Sequence, residues 1–489
     1  MNRREFFRAL GIGAASLGLS GCASAPAPLG ASRGGGKALK GRPNILFCIA
    51  DDWSWPYASI AGDKVVKTPT FDRVAREGVL FEHAFVSAPS CTPSRGAILT
   101  GQWHWRLEEG GNLWSTLPAK FEVYPDLLEQ AGYHIGFTRK GWGPGNEEQG
   151  GRKRNPAGPK YKDFAEFLGA RPEGAPFCFW FGSQDPHRPY QWRSGVESGM
   201  KIEDVKVPAC LPDCEQVRID ICDYFWEVQR FDREVGELLK VLEEKGELDN
   251  TQVVMTGDNG LPFPRCKSNL YDTGTNVPLA VRWPAQVKGG RVVEDFISLS
   301  DLAPTFLDIC GLKPAGDMTG RSFLDVLISG KSGRVDPKRD KVFTGMERHT
   351  DRRAGGVGYP MRAIRTHDYL YIRNFKPDRW PAGDPEGYGD IDGSPSKTYM
   401  MERRDEPGVK RLFELAFGKR PAEELYDLRK DPDQLNNVAD GPGYAKSKEK
   451  LAGALMAELK ATKDPRALGN GDIFDKYPYY GAGAPKKSR

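Results

Sequence analysis

The chain runs to 489 residues, 39% hydrophobic and 28% charged, which is length enough for a large α/β domain with a smaller companion. Its 70 basic residues against 66 acidic ones leave a formal charge of +4, which excludes the dense positive field that nucleic-acid binding requires. Of its nine cysteines, setting Cys22 and Cys91 aside leaves an odd seven, which argues against a full disulfide framework.

At the N-terminus, Asn2-Arg3-Arg4-Glu5-Phe6-Phe7-Arg8 precedes a mild apolar run from Ala9 to Leu19, closed by Leu19-Ser20-Gly21-Cys22. The run is too short to span a bilayer. The arrangement resembles a twin-arginine export signal ending in a lipobox. That implies an exported, periplasmic or cell-surface lipoprotein, held at a membrane through a lipid on Cys22. A short soluble amphipathic helix is the other reading. Residues 23–40, rich in Ala, Pro, Gly and Ser, read as a tether, so residues 1–40 form the first segment.

Four apolar runs then end in polar groups. Arg42 to Ala50 stops at Asp51-Asp52, and the weaker Tyr133 to Thr138 stops at Arg139-Lys140. Phe177 to Phe181 leads to Gln184-Asp185-Pro186-His187, and Thr251 to Thr256 leads to Gly257-Asp258-Asn259-Gly260. Continuous apolar runs of this length predict strands buried on both faces of a parallel sheet. Open α/β sheets place ligands beyond the carboxyl ends of their strands, so the four polar ends are expected to share one pocket. Asp51, Asp52, Asp258 and Asn259 offer hard oxygen donors without a His or Cys cluster, which suits calcium or magnesium. Adjacent carboxylates at the rim of an apolar sheet repel one another unless a cation joins them. A helix cap or turn is the alternative for the Asp51-Asp52 pair.

Between the first two runs lies Cys91-Thr92-Pro93-Ser94-Arg95, followed by Gly96-Ala97-Ile98-Leu99-Thr100-Gly101. Pro93 fits the first turn of a helix, which sets residue 91 at the positive helix end. A buried cysteine at a turn is the plain alternative. Cys210 and Cys214, with Cys222 beyond, invite a zinc or disulfide reading, but no paired His accompanies them, so free or singly bridged cysteines are expected.

Farther on, Leu299 to Cys310 reads as a helix capped by Asp301 and ended by Gly311, and a polar stretch rich in Gly, Lys and Arg continues to Gly358. Met361 to Arg373 reads as two short strands around Thr366-His367-Asp368, Glu424 to Leu428 as another, and Tyr444 to Thr462 as a Lys-rich amphipathic helix. The expected division is a catalytic domain over 41–358 and a C-terminal subdomain over 359–489, which closes one edge of the cleft.

The C-x-P-x-R pattern from Cys91 to Arg95, with Leu99-Thr100-Gly101 behind it, resembles the signature of the formylglycine-dependent sulfatases of the alkaline-phosphatase-like superfamily. The stretches Asp258 to Pro264, Lys267 to Gly274, Asp185 to Arg188, Tyr359 to Arg362 and Glu424 to Pro432 are similar to the sulfamidase, or N-sulfoglucosamine sulfohydrolase, branch. The resemblance implies an α/β fold: a large mixed, mainly parallel sheet flanked by helices, with a smaller α+β subdomain built on an antiparallel sheet. It also implies that a formylglycine-generating enzyme converts Cys91 to Cα-formylglycine. One hydroxyl of the hydrated aldehyde attacks sulfur, and the second expels sulfate. By the same resemblance Asp51, Asp52, Asp258 and Asn259, with an oxygen of modified Cys91, hold Ca2+ rather than Mg2+. Arg95 orients the diol, Lys140 and Lys267 bind sulfate, and His187 supports the leaving group.

The implied substrate is a sulfated oligosaccharide or polysaccharide such as a heparan-type glycosaminoglycan, cleaved at an ester or sulfamate of a terminal sugar. His104, Arg188, Arg348, His349 and Arg379 are candidate substrate contacts, and Trp53, Trp55, Trp103, Trp105, Trp114, Trp192 and Trp380 are candidate stacking rings. One departure stands out: the family has a histidine two positions after the lysine, helping to deprotonate the diol, whereas Lys140-Gly141-Trp142 places an indole there. Another base, either an aspartate of the metal shell or a shifted histidine such as His134, would have to serve; loss of such help costs roughly 10²- to 10⁴-fold. A phosphodiesterase or phosphonate hydrolase on the same fold, and a catalytically silent glycan-binding lipoprotein, are the alternative functions.

Overall fold

A computed structural model describes residues 42–481; the export signal, Cys22 and the tether lie outside the described residues. No helix among these residues is long and apolar enough to cross a membrane. The strands, in chain order, are β1 (Asn44–Ala50), β2 (Val79–Phe81), β3 (Ala84–Phe85), β4 (His134–Arg139), β5 (Phe177–Gly182), β6 (Thr251–Gly257), β7 (Leu279–Arg282), β8 (Arg291–Val293), β9 (Ile297–Ser298), β10 (Lys341–Met346), β11 (Met361–Thr366), β12 (Tyr369–Asn374) and β13 (Glu423–Asp427).

Seven strands form the main sheet in the order β4-β5-β1-β6-β7-β2-β8. The four apolar runs of the sequence are its four adjacent parallel strands, β4, β5, β1 and β6. Beyond them β7 runs antiparallel to both β6 and β2, so the sheet is mixed but mainly parallel. Helices cover both faces, which is why β1, β5 and β6 are buried throughout instead of alternating. Leu46, Cys48 and Ala50 join a core with Phe225, Val228, Phe231 and Val235 of the 30-residue helix Glu215–Glu244. On the opposite face Phe47 meets Trp180 and Phe306 edge-on, the latter from the helix Leu302–Ile309. Ser298, rather than Asp301, caps the turn leading into that helix; Asp301 completes the capping box from the third position.

The register sets up the site. Ala50 lies opposite Gly257, Ile49 opposite Gly182, and Arg139 opposite Gly182. The residues that follow each strand therefore emerge side by side at one edge of the sheet.

The second sheet is antiparallel, in the order β10-β11-β12-β13. Its first strand comes from the polar stretch rich in Gly, Lys and Arg, with Lys341 opposite Thr366 and Met346 opposite Met361. The sheet therefore starts at Lys341, ahead of the expected boundary at 359. The helix Ala445–Ala461 buries Leu451, Leu455 and Leu459 against it, in one cluster with Val342, Ile364 and Leu425. Between β12 and β13 the chain returns to the first core: Tyr388, Ile391, Met400, Val409 and Phe417 belong to the same cluster as Phe225. The described residues of the two sheets accordingly share one compact unit.

One ionic knot ties the second sheet down. Arg362 of β11 pairs with Asp464 at 2.7 Å and Glu347 at 2.7 Å, and Arg466 pairs with Glu347 at 2.8 Å. Arg362, Glu347 and the Asp464 carboxylate are fully buried. Removing Arg362 leaves the Asp464 carboxylate without its ion pair and Glu347 with Arg466 alone in a dry interior, so Arg362→Met is expected to cost about 3–5 kcal/mol. Urea unfolding of the variant checks this, and a change of less than about 1 kcal/mol contradicts it.

Candidate active site

Asp51 and Asp52 follow β1, Asp258 and Asn259 follow β6, Lys140 follows β4, and His187 stands in the loop after β5. Cys91 opens the helix Cys91–Thr100, with Ser90 as its extended N-cap. The left-handed φ of 77° at Asp52 turns the chain sharply at the strand end and lets both carboxylates face inward. The Asp52 amide donates to Asp258 Oδ1 at 3.0 Å, locking the two strand ends together.

These elements close a ring around residue 91. Cys91 Sγ donates to Asp51 Oδ1 at 3.3 Å, and Asn259 Nδ2 lies 3.8 Å from the same sulfur. Donor atoms of Asp51, Asp52, Cys91 and Asp258 all fall within 4.8 Å of one another. Asp52 Oδ1 and Asn259 Oδ1 are buried without a hydrogen-bond partner. Three carboxylates converging at that spacing, one of them with an orphaned oxygen, beside the unpartnered Asn259 Oδ1, fit a hard divalent cation.

Cations surround the ring. Arg95 is completely buried, binds Asp258 Oδ2 at 2.7 Å through Nε, and donates to the carbonyls of Lys140 and Gly141, each at 3.0 Å. Its second terminal nitrogen has no hydrogen bond and sits 3.9 Å from Asp51. Lys140 Nζ pairs with Asp51, and Lys267 Nζ with Asp52 at 2.8 Å. His187 Nδ1 meets its neighbour's carbonyl, Arg188 O, at 2.6 Å, and its Nε2 lies 4.0 Å from Asp52.

The charge states follow from this packing. Burial alone pushes Asp51 up, but Lys140, His187 and Arg95 together outweigh it and hold its carboxyl far below the usual range. Burial raises Asp52 to about 6, opposed by Lys267 and His187 and reinforced by Asp51 and Asp258. Burial also lifts the Cys91 thiol well above its ordinary value, with Asp51 adding to the rise. Despite burial, Lys140 is raised by Asp51, and Lys267 by Asp392 and Asp52.

A cavity of about 1070 Å³ opens over Cys91, lined by Asp51, Lys140, His187, Lys267 and His349 among others. Arg188 lines it too, but its guanidinium is committed to Asp220 at 2.7 and 3.0 Å and flanked by Tyr190 and Phe263. His349 faces the cavity while its Nδ1 meets Ser90 Oγ at 2.9 Å.

Three expected substrate contacts lie elsewhere. His104 is wholly buried on Ser87 Oγ at 2.9 Å, Arg348 serves the carbonyls of Tyr477 and Pro478, and Arg379 serves Gly358 O and Asp475. Each polar head is absorbed by the fold before reaching the cavity. Of the tryptophans, Trp114 and Trp142 line the cavity, whereas Trp53, Trp103 and Trp105 are core residues. Trp55 and Trp380 are half-buried and Trp192 is exposed, none of them in the lining.

Trp142 is buried in the cavity wall, its backbone clasped by Asn155 through bonds of 3.0 and 2.9 Å, and its indole nitrogen has no partner. His134 cannot replace a base there: it starts β4 at the amino end of the sheet, stacks on Phe167 and bonds Phe167 O. The imidazoles at the cavity are His187 and His349. Asp392, which carries no strand or motif signal, also enters the lining and pairs with Lys267 at 3.2 Å. The cysteines among the described residues are unbridged, and Cys210, Cys214 and Cys222 form no metal-binding group there.

Burial depresses His83, His104 and His349, to about 4 for His83 and His349. Each takes up its proton more readily in the unfolded chain, near about 6.5. The stability they permit is complete above that value and drains away as pH falls toward 4. Relative to wild type, the urea midpoint of His83→Gln is therefore expected to rise as pH falls from about 7 to 4.5, buried carboxylates with raised pKa such as Asp52, Glu227 and Asp232 acting in the opposite sense in both proteins; an identical slope in the two proteins contradicts the assignment.

Residues 43–312 match the family model described as sulfatase, and residues 266–386 match that described as N-sulphoglucosamine sulphohydrolase, C-terminal. The chain is 30% identical to human N-sulphoglucosamine sulphohydrolase over 87% of its own length and 92% of that protein. It is 28% identical to an ulvan-active sulfatase of Formosa agariphila over 90% of its length and 78% of the relative. A solved structure in complex with its substrate D-glucosamine-2-N,6-O-disulfate superimposes with a TM-score of 0.62 at 22% identity, covering 87% of this chain and 99% of that one.

Proposed function

The chain belongs to the sulfatase family, and from that premise we propose that it removes sulfate from a terminal sugar of a sulfated polysaccharide, at an ester or a sulfamate. The observation that carries this reading is the ring of Asp51, Asp52 and Asp258 donors within 4.8 Å of Cys91, backed by buried cations. Residue 91 acts as formylglycine, whose hydrated aldehyde supplies a nucleophilic oxygen and a second hydroxyl for release. Calcium is the ion assigned to the ring, supplying Lewis-acid polarisation when bound.

The chain's own residues divide the remaining work. Arg95 fixes Asp258 and keeps a guanidinium nitrogen without a hydrogen bond 3.9 Å from Asp51, the carboxylate that meets residue 91. Lys140 and Lys267 face the anion from two sides and stabilise charge as it develops on the sulfate oxygens. His187 stands at the cavity with Nε2 available to the leaving group. Export through Arg3-Arg4 and lipidation of Cys22 belong to the same reading and would put the enzyme where extracellular polysaccharide is met.

Similarity to an N-sulfoglucosamine hydrolase and to ulvan-active sulfatases points to sulfated glycans without choosing among them. The test is sulfate release, followed by ion chromatography, from defined heparan, chondroitin, fucan and ulvan oligosaccharides, alongside bis(4-nitrophenyl) phosphate. Turnover of at least one glycan above the phosphodiester supports the proposal. Preference for the diester, or no sulfate release from aldehyde-bearing protein, sinks it.

A further inference from the structure

The cavity is built for an anion, yet it contains a carboxylate that the chemistry above does not use. Asp392 pairs through Oδ2 with Lys267 Nζ at 3.2 Å, and Lys267 Nζ is also 2.8 Å from Asp52 Oδ2. Donor atoms of Asp52, His187 and Asp392 all lie within 4.8 Å of one another. The Asp392 side chain is 26% exposed, compared with 6% for Lys267, so part of the carboxylate faces the open cavity beside the sulfate position.

Its place is fixed by the surrounding chain. Ser268 Oγ donates to Asp390 O at 3.1 Å, and Lys397 Nζ donates to Tyr388 O at 3.0 Å and Ile391 O at 2.9 Å. The Asp390 carboxylate is held by Thr350 and Arg353. Asp392 is thus presented by a braced segment that reaches across from the C-terminal half.

Two simpler roles fit poorly. Lys267 already has Asp52 at 2.8 Å as a counter-ion, and an extra negative charge there opposes sulfate binding, so a counter-ion role alone leaves the placement of Asp392 in the cavity lining unaccounted for. A second metal between Asp52 and Asp392 would collide with the Lys267 ammonium, which already occupies that position. The other lining carboxylates face other partners, Asp51 in the cation ring, Asp185 3.3 Å from Arg230 and Glu147 accepting from Asn155, so Asp392 is the lining carboxylate that stands beside Lys267. A carboxylate kept beside an anion site becomes favourable when the substrate brings a hydrogen-bond donor to it.

We infer that Asp392 determines specificity by accepting a hydrogen bond from a hydroxyl or amino group on the sugar carbon next to the sulfated position. The site thereby selects sulfate groups flanked by a donor over bare anions. The inference rests on the desulfation reading above and narrows its substrate class.

The test compares wild type, Asp392→Ala and Asp392→Asn, all carrying the aldehyde, on D-glucosamine N-sulfate, L-rhamnose 3-sulfate and the same sugars O-methylated at the hydroxyls flanking the sulfate. Inorganic sulfate serves as a competitive inhibitor that brings no donor. Losing a charged hydrogen bond is expected to lower kcat/KM of Asp392→Ala about 10- to 100-fold on a cleaved sugar. O-methylation should cost wild type a similar factor and Asp392→Ala almost nothing, while Asp392→Asn recovers part of the loss through its amide oxygen. The Ki for inorganic sulfate should stay the same or tighten in Asp392→Ala. Weaker sulfate inhibition with an equal fall on free and methylated sugars would reduce Asp392 to a support for Lys267 and overturn the inference. So would unchanged kcat/KM, or sulfate release from the glycan panel with neither of these sugars cleaved. Failure on every sulfated glycan instead removes the desulfation reading itself, and the inference with it.

Discussion

Replacing Cys91 by alanine is expected to abolish sulfate release, with kcat falling on the order of 10⁵- to 10⁶-fold, the scale seen when a covalent nucleophile is removed. The surroundings of Cys91 explain why activity should depend on oxidation and not on the thiol. The sulfur is buried against Asp51, and its pKa is pushed well above the ordinary value, so an unmodified side chain stays a neutral thiol. Activity should therefore track the fraction of residue 91 present as aldehyde, measured by mass spectrometry of the peptide that contains it. Protein made without a formylglycine-generating enzyme should match the alanine variant in rate while keeping the wild-type unfolding curve. A Cys91→Ser variant keeps one oxygen but lacks the second hydroxyl needed for release, so it is limited to a single turnover at best. Multiple turnovers by thiol-only protein would dismantle the covalent scheme.

The residues gathered around Cys91 were readable from the sequence because each follows a strand whose apolar run is unbroken. Asp51, Lys140, His187 and Asp258 all come after β1, β4, β5 and β6, which are adjacent in the sheet. Burial on both faces produces such runs, and the parallel register does the rest. Shorter elements leave no comparable mark. The three-residue strands β2 and β8 carry too few residues for a period, and β10 was hidden behind a Lys- and Arg-rich stretch. The substrate side was harder for a different reason. A charged residue advertises itself in sequence, but the carbonyls that absorb Arg348 and the carboxylate that holds Arg379 come from residues about a hundred positions away. Asp392 shows the converse: it reaches the cavity because Tyr388, Ile391, Met400 and Phe417 pack back onto the first core, a tertiary event with no local signal. Trp142 marks a place where sequence and structure raise the same question, since the indole lines the cavity but cannot take up a proton.

Removing the divalent cation is expected to lower kcat/KM on the order of 10³-fold, from the loss of several kcal/mol of transition-state stabilisation. The same treatment should leave the fold standing. The carboxylates of the ring each keep a cationic neighbour without the metal: Lys140 for Asp51, Lys267 for Asp52, and Arg95 for Asp258. These contacts offset the repulsion that would otherwise open the strand ends, so the metal-free protein should unfold only a few degrees lower, with the shift growing as calcium rises above its Kd. The oxygens left without a hydrogen bond, Asp52 Oδ1 and Asn259 Oδ1, are the ones whose role disappears with the ion. Dialysis against a chelator, with metal content checked by mass spectrometry, followed by addition of Ca2+ or Mg2+, tests both halves of the expectation. Calcium should restore the rate more fully than magnesium, because a ring of protein oxygens with a buried thiol-derived ligand suits the larger, more adaptable coordination sphere. Asp258→Asn should lose activity to a similar degree and fail to recover at moderate calcium, since it weakens the ring and the Arg95 contact together. Full activity in demonstrably metal-free enzyme would mean that Arg95, Lys140 and Lys267 alone carry the charge of the reaction, and the ring around residue 91 would have to be read as an ion-pair network.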